Sequence, residues 1–125
     1  MNYFLEPINV YSEWDMFNKV SRFGFEEEFH GTSEMCIGDM MFFYVTKDAI
    51  EIPAGNYGNG IIVSEPYKDK REICWVNVKI KYIRFDNPII DYEICKILAT
   101  KRSVHRIKDK IMLELLKTDL KNIVY

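Results

Sequence analysis

Two histidines and three cysteines are all that the 125 residues offer of the side chains that most often ligate metals or act as nucleophiles. His30 and His105 lie far apart, and neither belongs to an HExxH-type pair. Cys36, Cys74 and Cys95 have no CxxC spacing and an odd count, which suggests neither a zinc site nor a disulfide framework; they read as reduced core residues. No GxSxG elbow and no P-loop occurs. Cys36 invites a nucleophile reading with either histidine, but a small buried hydrophobe is the plainer one. Glu26-Glu27-Glu28 offers carboxylates for acid–base work, yet consecutive residues point in different directions and a charge run is usually a solvated face. The sequence therefore reads as no enzyme, with no metal and no cofactor. No stretch approaches the roughly 18 apolar residues of a membrane span. The N-terminus, Met1-Asn2-Tyr3-Phe4-Leu5-Glu6-Pro7, has no basic region and no long apolar one. These two features predict a cytoplasmic location and no membrane partner.

The net charge is small, but the charges are unevenly placed. The formal net charge is -2 with a pI near 5.7, which argues against a protein that grips nucleic acid mainly through phosphates. Residues 1–65 carry 3 basic against 11 acidic side chains, and residues 66–125 carry 14 against 8. If both halves fold into one body, one face is basic and another acidic. With 48% hydrophobic and 14% aromatic residues, the chain can bury a core without staples, and one domain spanning 1–125 is expected.

The strongest local pattern lies at residues 37–67. Ile37-Gly38-Asp39 opens the run Met40-Met41-Phe42-Phe43-Tyr44-Val45, and Gly60-Ile61-Ile62-Val63 leads into Ser64-Glu65-Pro66-Tyr67. Two runs rich in aromatic and β-branched residues, bounded by turn residues, read as neighbouring strands. Apolar residues fill both faces of the first, which places it in the middle of a core. Cys74 to Phe85 alternates, with Val76, Val78, Ile80 and Tyr82 on one face and Asn77, Lys79 and Lys81 on the other, as a half-buried strand does. Tyr3-Phe4-Leu5 reads as a short edge strand ended by Glu6-Pro7. Residues 26–31 read as an acidic loop, 46–59 as a mobile connection, and Pro66 to Arg71 as a charged turn.

Helices are expected at the two ends. Ser12-Glu13-Trp14-Asp15 has the form of a capping box for a helix over about 12–20. From Asp91 the apolar spacing turns helical, and a second C-terminal helix, opened by Ser103, places Val104, Ile107, Ile111 and Leu115 on one stripe. An α+β domain built on a curled, mainly antiparallel sheet follows, with a small barrel favoured over a flat sheet.

Trp14, Phe23, Phe25, Tyr44, Tyr67 and Trp75 all fall beside turns or at the ends of expected elements. One reading is that these rings simply pack. The other is that some converge on a cleft and hold a planar ligand such as a nucleobase, each stacked base contributing about 1–3 kcal/mol. A nearby Asn, such as Asn9, reads a base edge through its paired donor and acceptor.

The Gly-Asp strand, the segment Gly60-Ile61-Ile62-Val63-Ser64-Glu65-Pro66-Tyr67-Lys68-Asp69, and Trp75-Val76-Asn77-Val78-Lys79-Ile80 follow one another in the order of the EVE domain, which the chain resembles over most of its length. That family is PUA-like and related to the YTH domains. The resemblance implies a small closed β-barrel with flanking N-terminal and C-terminal helices and a pocket for a modified base. Asn9 falls near the family's base-reading Asn, Phe23-Gly24 where the family usually has Trp-Gly, and Lys101-Arg102-Ser103-Val104-His105 along its C-terminal segment. The expected pocket is therefore Asn9, Trp14, Phe23, Gly24, Tyr44, Tyr67, Ser103 and His105, with Lys79, Lys81, Lys101, Arg102 and Arg106 contacting phosphates. The expected function is a modified-base reader of DNA or RNA working beside a nuclease or a modification enzyme. The alternative is a PUA-like scaffold with a degraded pocket, acting through protein contacts or a small nucleotide.

Overall fold

The computed structural model describes residues 1–8, 26–45, 55–83, 104–108, 110, 113 and 114. They form seven strands: β1 (Tyr3–Ile8), β2 (Glu26–His30), β3 (Met40–Val45), β4 (Gly55–Ile62), β5 (Tyr67–Lys68), β6 (Cys74–Ile83) and β7 (His105–Arg106). One curled, half-barrel sheet contains them all, in the order β2-β6-β4-β3-β1-β7, with β5 added to β6. Only β1 and β3 pair in parallel; the other pairings are antiparallel. The helices expected over 12–20 and from Asp91 lie outside the described residues, whereas Lys110, Leu113 and Glu114 have helical backbone.

β3 is the hub that its composition predicts. Met41, Phe42, Phe43 and Tyr44 are all fully buried, and because successive side chains of a strand alternate, both faces of β3 are covered. Met41 and Phe43 join Phe4, Met35, Ile62, Val76, Val78 and Ile80 in one cluster, with Phe29 and Val104 packed against it. The Phe29 and Phe43 rings stack at 4.7 Å. Leu5, Phe42 and Tyr44 are buried on the opposite face of the sheet.

The turn before β3 holds three segments together. Gly38 has φ +97, which glycine adopts without penalty. Asp39, almost wholly buried, accepts the backbone N–H groups of Asn2 and Cys36, each at 2.9 Å. Its own carbonyl accepts from the Ile62 N–H at 2.8 Å, so the start of β1, the turn and the end of β4 meet on one residue. A second glycine is fixed by close approach. A Cβ on Gly60 would stand 2.5 Å from Val78 Cγ1 and 2.8 Å from the Lys79 carbonyl oxygen, so no larger residue lets β4 lie this close to β6.

Six expectations need correction. Tyr67 and Lys68, expected within a charged turn, form β5. β1 does not stop at Glu6-Pro7 but runs to Ile8, and it is an edge only in part, because β7 covers Phe4 and Leu5. Backbone groups alternate along a strand: the Asn2 carbonyl accepts from Met40 on the β3 side, and the Tyr3 carbonyl from Ile107 on the β7 side. Pro7 shares the parity of Tyr3, so its missing N–H falls on the β7 side, beyond the last pair at Leu5. Residues 26–30 are strand rather than loop, with Glu27 and Phe29 turned inward and Glu26, Glu28 and His30 exposed. Gly55 to Asn59 belong to β4 rather than to a mobile connection. His105 and Arg106 pair with β1 instead of opening a helix at Ser103. Cys36 is exposed, since Asp39 fixes its backbone in the turn with the thiol outside the core; it and Cys74 are free thiols.

Phe43→Ala should cost about 3–5 kcal/mol, because a wholly buried ring loses its transfer energy and leaves a cavity. Chemical denaturation should show the variant largely unfolded, and a midpoint near that of the parent would place Phe43 outside the core.

Candidate functional site

The expected site residues fall in different places. Asn9, Trp14, Phe23, Gly24, Lys101, Arg102 and Ser103 lie outside the described residues. Tyr44 sits near the end of β3, opposite Pro7 of β1 and Asn56 of β4. His105, on β7, is opposite Leu5 of β1. β1 runs to Ile8, with Pro7 opposite Tyr44 and Ile8 opposite Val45.

Tyr67 is elsewhere. It pairs with Trp75 at the start of β6, whereas the level of Tyr44 corresponds to Ile83 and beyond. Eight residues of strand separate the two levels, roughly 26 Å at about 3.3 Å per residue. Tyr44 and Tyr67 therefore do not line one pocket.

The surroundings of Tyr67 form a connected polar surface. Its hydroxyl donates to the Glu28 carboxylate of β2, with Asn77 Oδ1 of β6 3.0 Å away. The hydrogen bond to Glu28 first, then burial and the glutamate's charge, push the Tyr67 phenol up to about 12. The Ser64 hydroxyl accepts from the Asn77 N–H at 2.9 Å, so the Ser-Glu-Pro-Tyr segment is bound to β6 at both ends. Asp69 closes the β5–β6 turn. One carboxylate oxygen accepts from the N–H groups of Arg71 (2.8 Å) and Ile73 (3.1 Å), and the other from Trp75 Nε1 at 2.9 Å. The Trp75 bond, with the two backbone bonds and the Arg71 charge, holds the Asp69 carboxyl down to about 2, against a smaller opposing effect of burial. Trp75 meets His30 of β2 with ring centroids 4.5 Å apart, tilted by 55°. These groups brace the β2–β5–β6 corner, which is a structural task for two of the most recognisable parts of the sequence.

The cations do not form one patch among the described residues. Lys79 is exposed on β6 directly across from Glu26 of β2, and Lys81 is half-buried two residues on. Arg106 lies on β7, at the other end of the strand order, 3.9 Å from the Glu34 carboxylate.

Sequence reasoning missed Asn59. It is wholly buried on β4, opposite Phe42, and neither its Nδ2 nor its Oδ1 has a hydrogen-bond partner among the described residues. The run Gly55-Asn56-Tyr57-Gly58-Asn59-Gly60 has the composition of a loop, and no local signal marks it as strand. The β4–β6 register also shifts at this point, between Asn59 and Gly60.

No family model matches the sequence, and no curated protein does. Solved structures match over nearly all of it. A hypothetical protein from Leishmania major superposes with a TM-score of 0.66 at 16% identity, over 98% of this chain and 96% of that one. The human THYN1 protein, in complex with DNA containing 5-methylcytosine, gives 0.65 at 12% identity, over 95% and 98%. A protein from Pseudomonas syringae gives 0.62 at 18%, over 94% and 99%. At such identities the likeness is one of fold, and it agrees with the EVE-type, PUA-like architecture that the sequence resemblance implies.

Two pH dependences follow from the β5–β6 corner. Asp69 is harder to protonate folded than unfolded, so its stabilisation is complete above about pH 4 and fades as pH falls towards 2. The Tyr67 phenol is harder to ionise folded than unfolded, so its stabilisation is complete below about pH 10 and fades as pH rises through about 12. Absorbance titration should find one phenol ionising near pH 12, and Glu28→Gln should bring it back towards the others.

Proposed function

We propose that the chain is a non-enzymatic binding module that recognises a modified nucleobase in DNA or RNA. The observation that carries this reading is the fold shared with the human THYN1 protein, whose structure holds DNA containing 5-methylcytosine. In this reading the sheet closes into a barrel with helices at its flanks. The pocket opens where β1 ends, with Asn9 and Tyr44 at that end and Trp14, Phe23, Gly24, Ser103 and His105 completing it. Tyr67 stays outside it, bracing the far corner. Stacking between rings contributes about 1–3 kcal/mol per base, and burying a methyl group against them adds about 0.8 kcal/mol. That increment separates a methylated base from its plain counterpart by a few-fold, and shape rejection must supply the rest.

Phosphate contacts come from Lys79, Lys81, Lys101, Arg102 and Arg106, because the N-terminal half has only 3 cations. The placement of Glu26 across from Lys79 favours the second reading, a PUA-like scaffold that works through protein contacts or a small nucleotide. A nuclease or modification enzyme is the partner expected under the first.

Titration with oligonucleotides carrying modified and unmodified bases separates the two. A reader should prefer one modified base and bind more weakly as salt rises, with a log K against log salt slope that counts its phosphate contacts. Phe23→Ala should abolish the preference with little unfolding, and Phe23→Trp should tighten binding of a small modified base by enlarging the wall. Equal affinities across the panel and across both variants would leave the scaffold reading ahead.

A further inference from the structure

Asn59 differs from Asp39, the buried polar residue at the start of β3. Asp39 is tied down by two backbone N–H groups, whereas the Asn59 carboxamide, at 0% exposure, has its donor nitrogen and its acceptor oxygen unpartnered among the described residues. Buried polar atoms are nearly always bonded, and an unmet carboxamide in a core strand is a standing cost. Something else must meet it.

Its position says what. Register sets Asn59 opposite Phe42 on β3 and opposite Tyr82 on β6, so aromatic residues occupy the facing position on both neighbouring strands. Tyr44, two residues from Phe42, stands on the same face of β3. Both ladders of β4 shift register here, between Phe43 and Tyr44 on one side and between Asn59 and Gly60 on the other, where Lys81 is the extra residue of β6. Such bulges re-aim side chains and gather beside functional sites.

We propose that Asn59 is an edge-reading residue of the pocket, pairing its carboxamide with adjacent donor and acceptor atoms of a nucleobase held among the aromatic residues. The inference rests on the reader function proposed above and deepens it. A carboxamide supplies a donor and an acceptor side by side. Adenine and cytosine offer an amine beside a ring nitrogen, and guanine, uracil and thymine a ring N–H beside a carbonyl, so turning the amide over matches either pattern. On the pairing edge those atoms are free only in a single strand or in a nucleotide flipped out of its duplex. The substrate class is thus an unpaired base with an unblocked edge, and Lys81 is placed to meet the phosphate beside it.

Two apolar substitutions test this: Asn59→Leu, close to isosteric, and Asn59→Val, smaller and suited to a strand. Each is melted, and each is titrated with single-stranded and duplex oligonucleotides carrying 5-methylcytosine, a methylated adenine or the plain bases. At least one variant should melt at or above the parent, because an unmet polar group has been removed. That variant should bind the preferred oligonucleotide roughly 10- to 100-fold more weakly, the loss of one bidentate base contact. If both variants melt well below the parent, the carboxamide is bonded within the fold and the inference is wrong. Unchanged affinity in a stable variant also overturns it, while leaving the reader function standing. If the parent itself shows no preference among the bases, the reader function fails and takes the inference with it.

Discussion

The carboxylate of Asp39 is the contact on which the arrangement of the sheet depends. It sits almost wholly buried at the start of β3 and gathers the N–H groups of Asn2 and Cys36, while the backbone of the same residue joins β4 through Ile62. Charge-assisted bonds of this kind are worth about 1.5–3 kcal/mol each, and their geometry sets where β1 begins against β3. From that origin the parallel register runs without a break from Tyr3 opposite Met40 to Ile8 opposite Val45. A carboxylate at one end of the pair thus determines which residues stand together at the other, Pro7 beside Tyr44 and Ile8 beside Val45.

The strands that could be read from the sequence are those whose side chains settle the matter locally. β3 is apolar on both faces, and β6 alternates cleanly, with Val76, Val78 and Ile80 buried and Lys79 exposed. The segments that were missed, β2, the first half of β4, β5 and β7, take their order from pairing partners elsewhere in the chain. Glu26, Glu27 and Glu28 look like a solvated run, yet β6 supplies a ladder for them and Phe29 anchors the strand against Phe43. Gly55 to Asn59 have little strand propensity, and they are held by β3 on one side and β6 on the other. β7 is two residues long, too short to outweigh the helical spacing around it.

The candidate site was legible only where it coincided with a strand end. Tyr44 was correctly placed on β3, but nothing in the spacing of Tyr44 and Tyr67 reveals that antiparallel strands carry them to opposite ends of the sheet. The recognisable Ser-Glu-Pro-Tyr segment turned out to brace a corner through Ser64 and Tyr67. Asn59 shows the converse: a residue with no local signal becomes conspicuous once its burial and its register are known. Both follow from the same fact, that residue chemistry is local while the neighbours of each residue come from distant strands.

The pairing of β1 with β7 has a kinetic meaning as well. Leu5 and His105 face each other across 100 positions of chain, whereas β3, β4 and β6 follow one another as antiparallel neighbours over a much shorter span. Closing the longer loop costs more chain entropy and brings fewer pairs in return. The β3–β4–β6 meander is therefore the natural nucleus, with β1 joining it and β7 docking last. Until then the backbone on the outer side of β1 is a bare strand edge, open to a second copy of the chain, and Pro7, which lacks an N–H on that side, shortens the stretch that a stray strand could use.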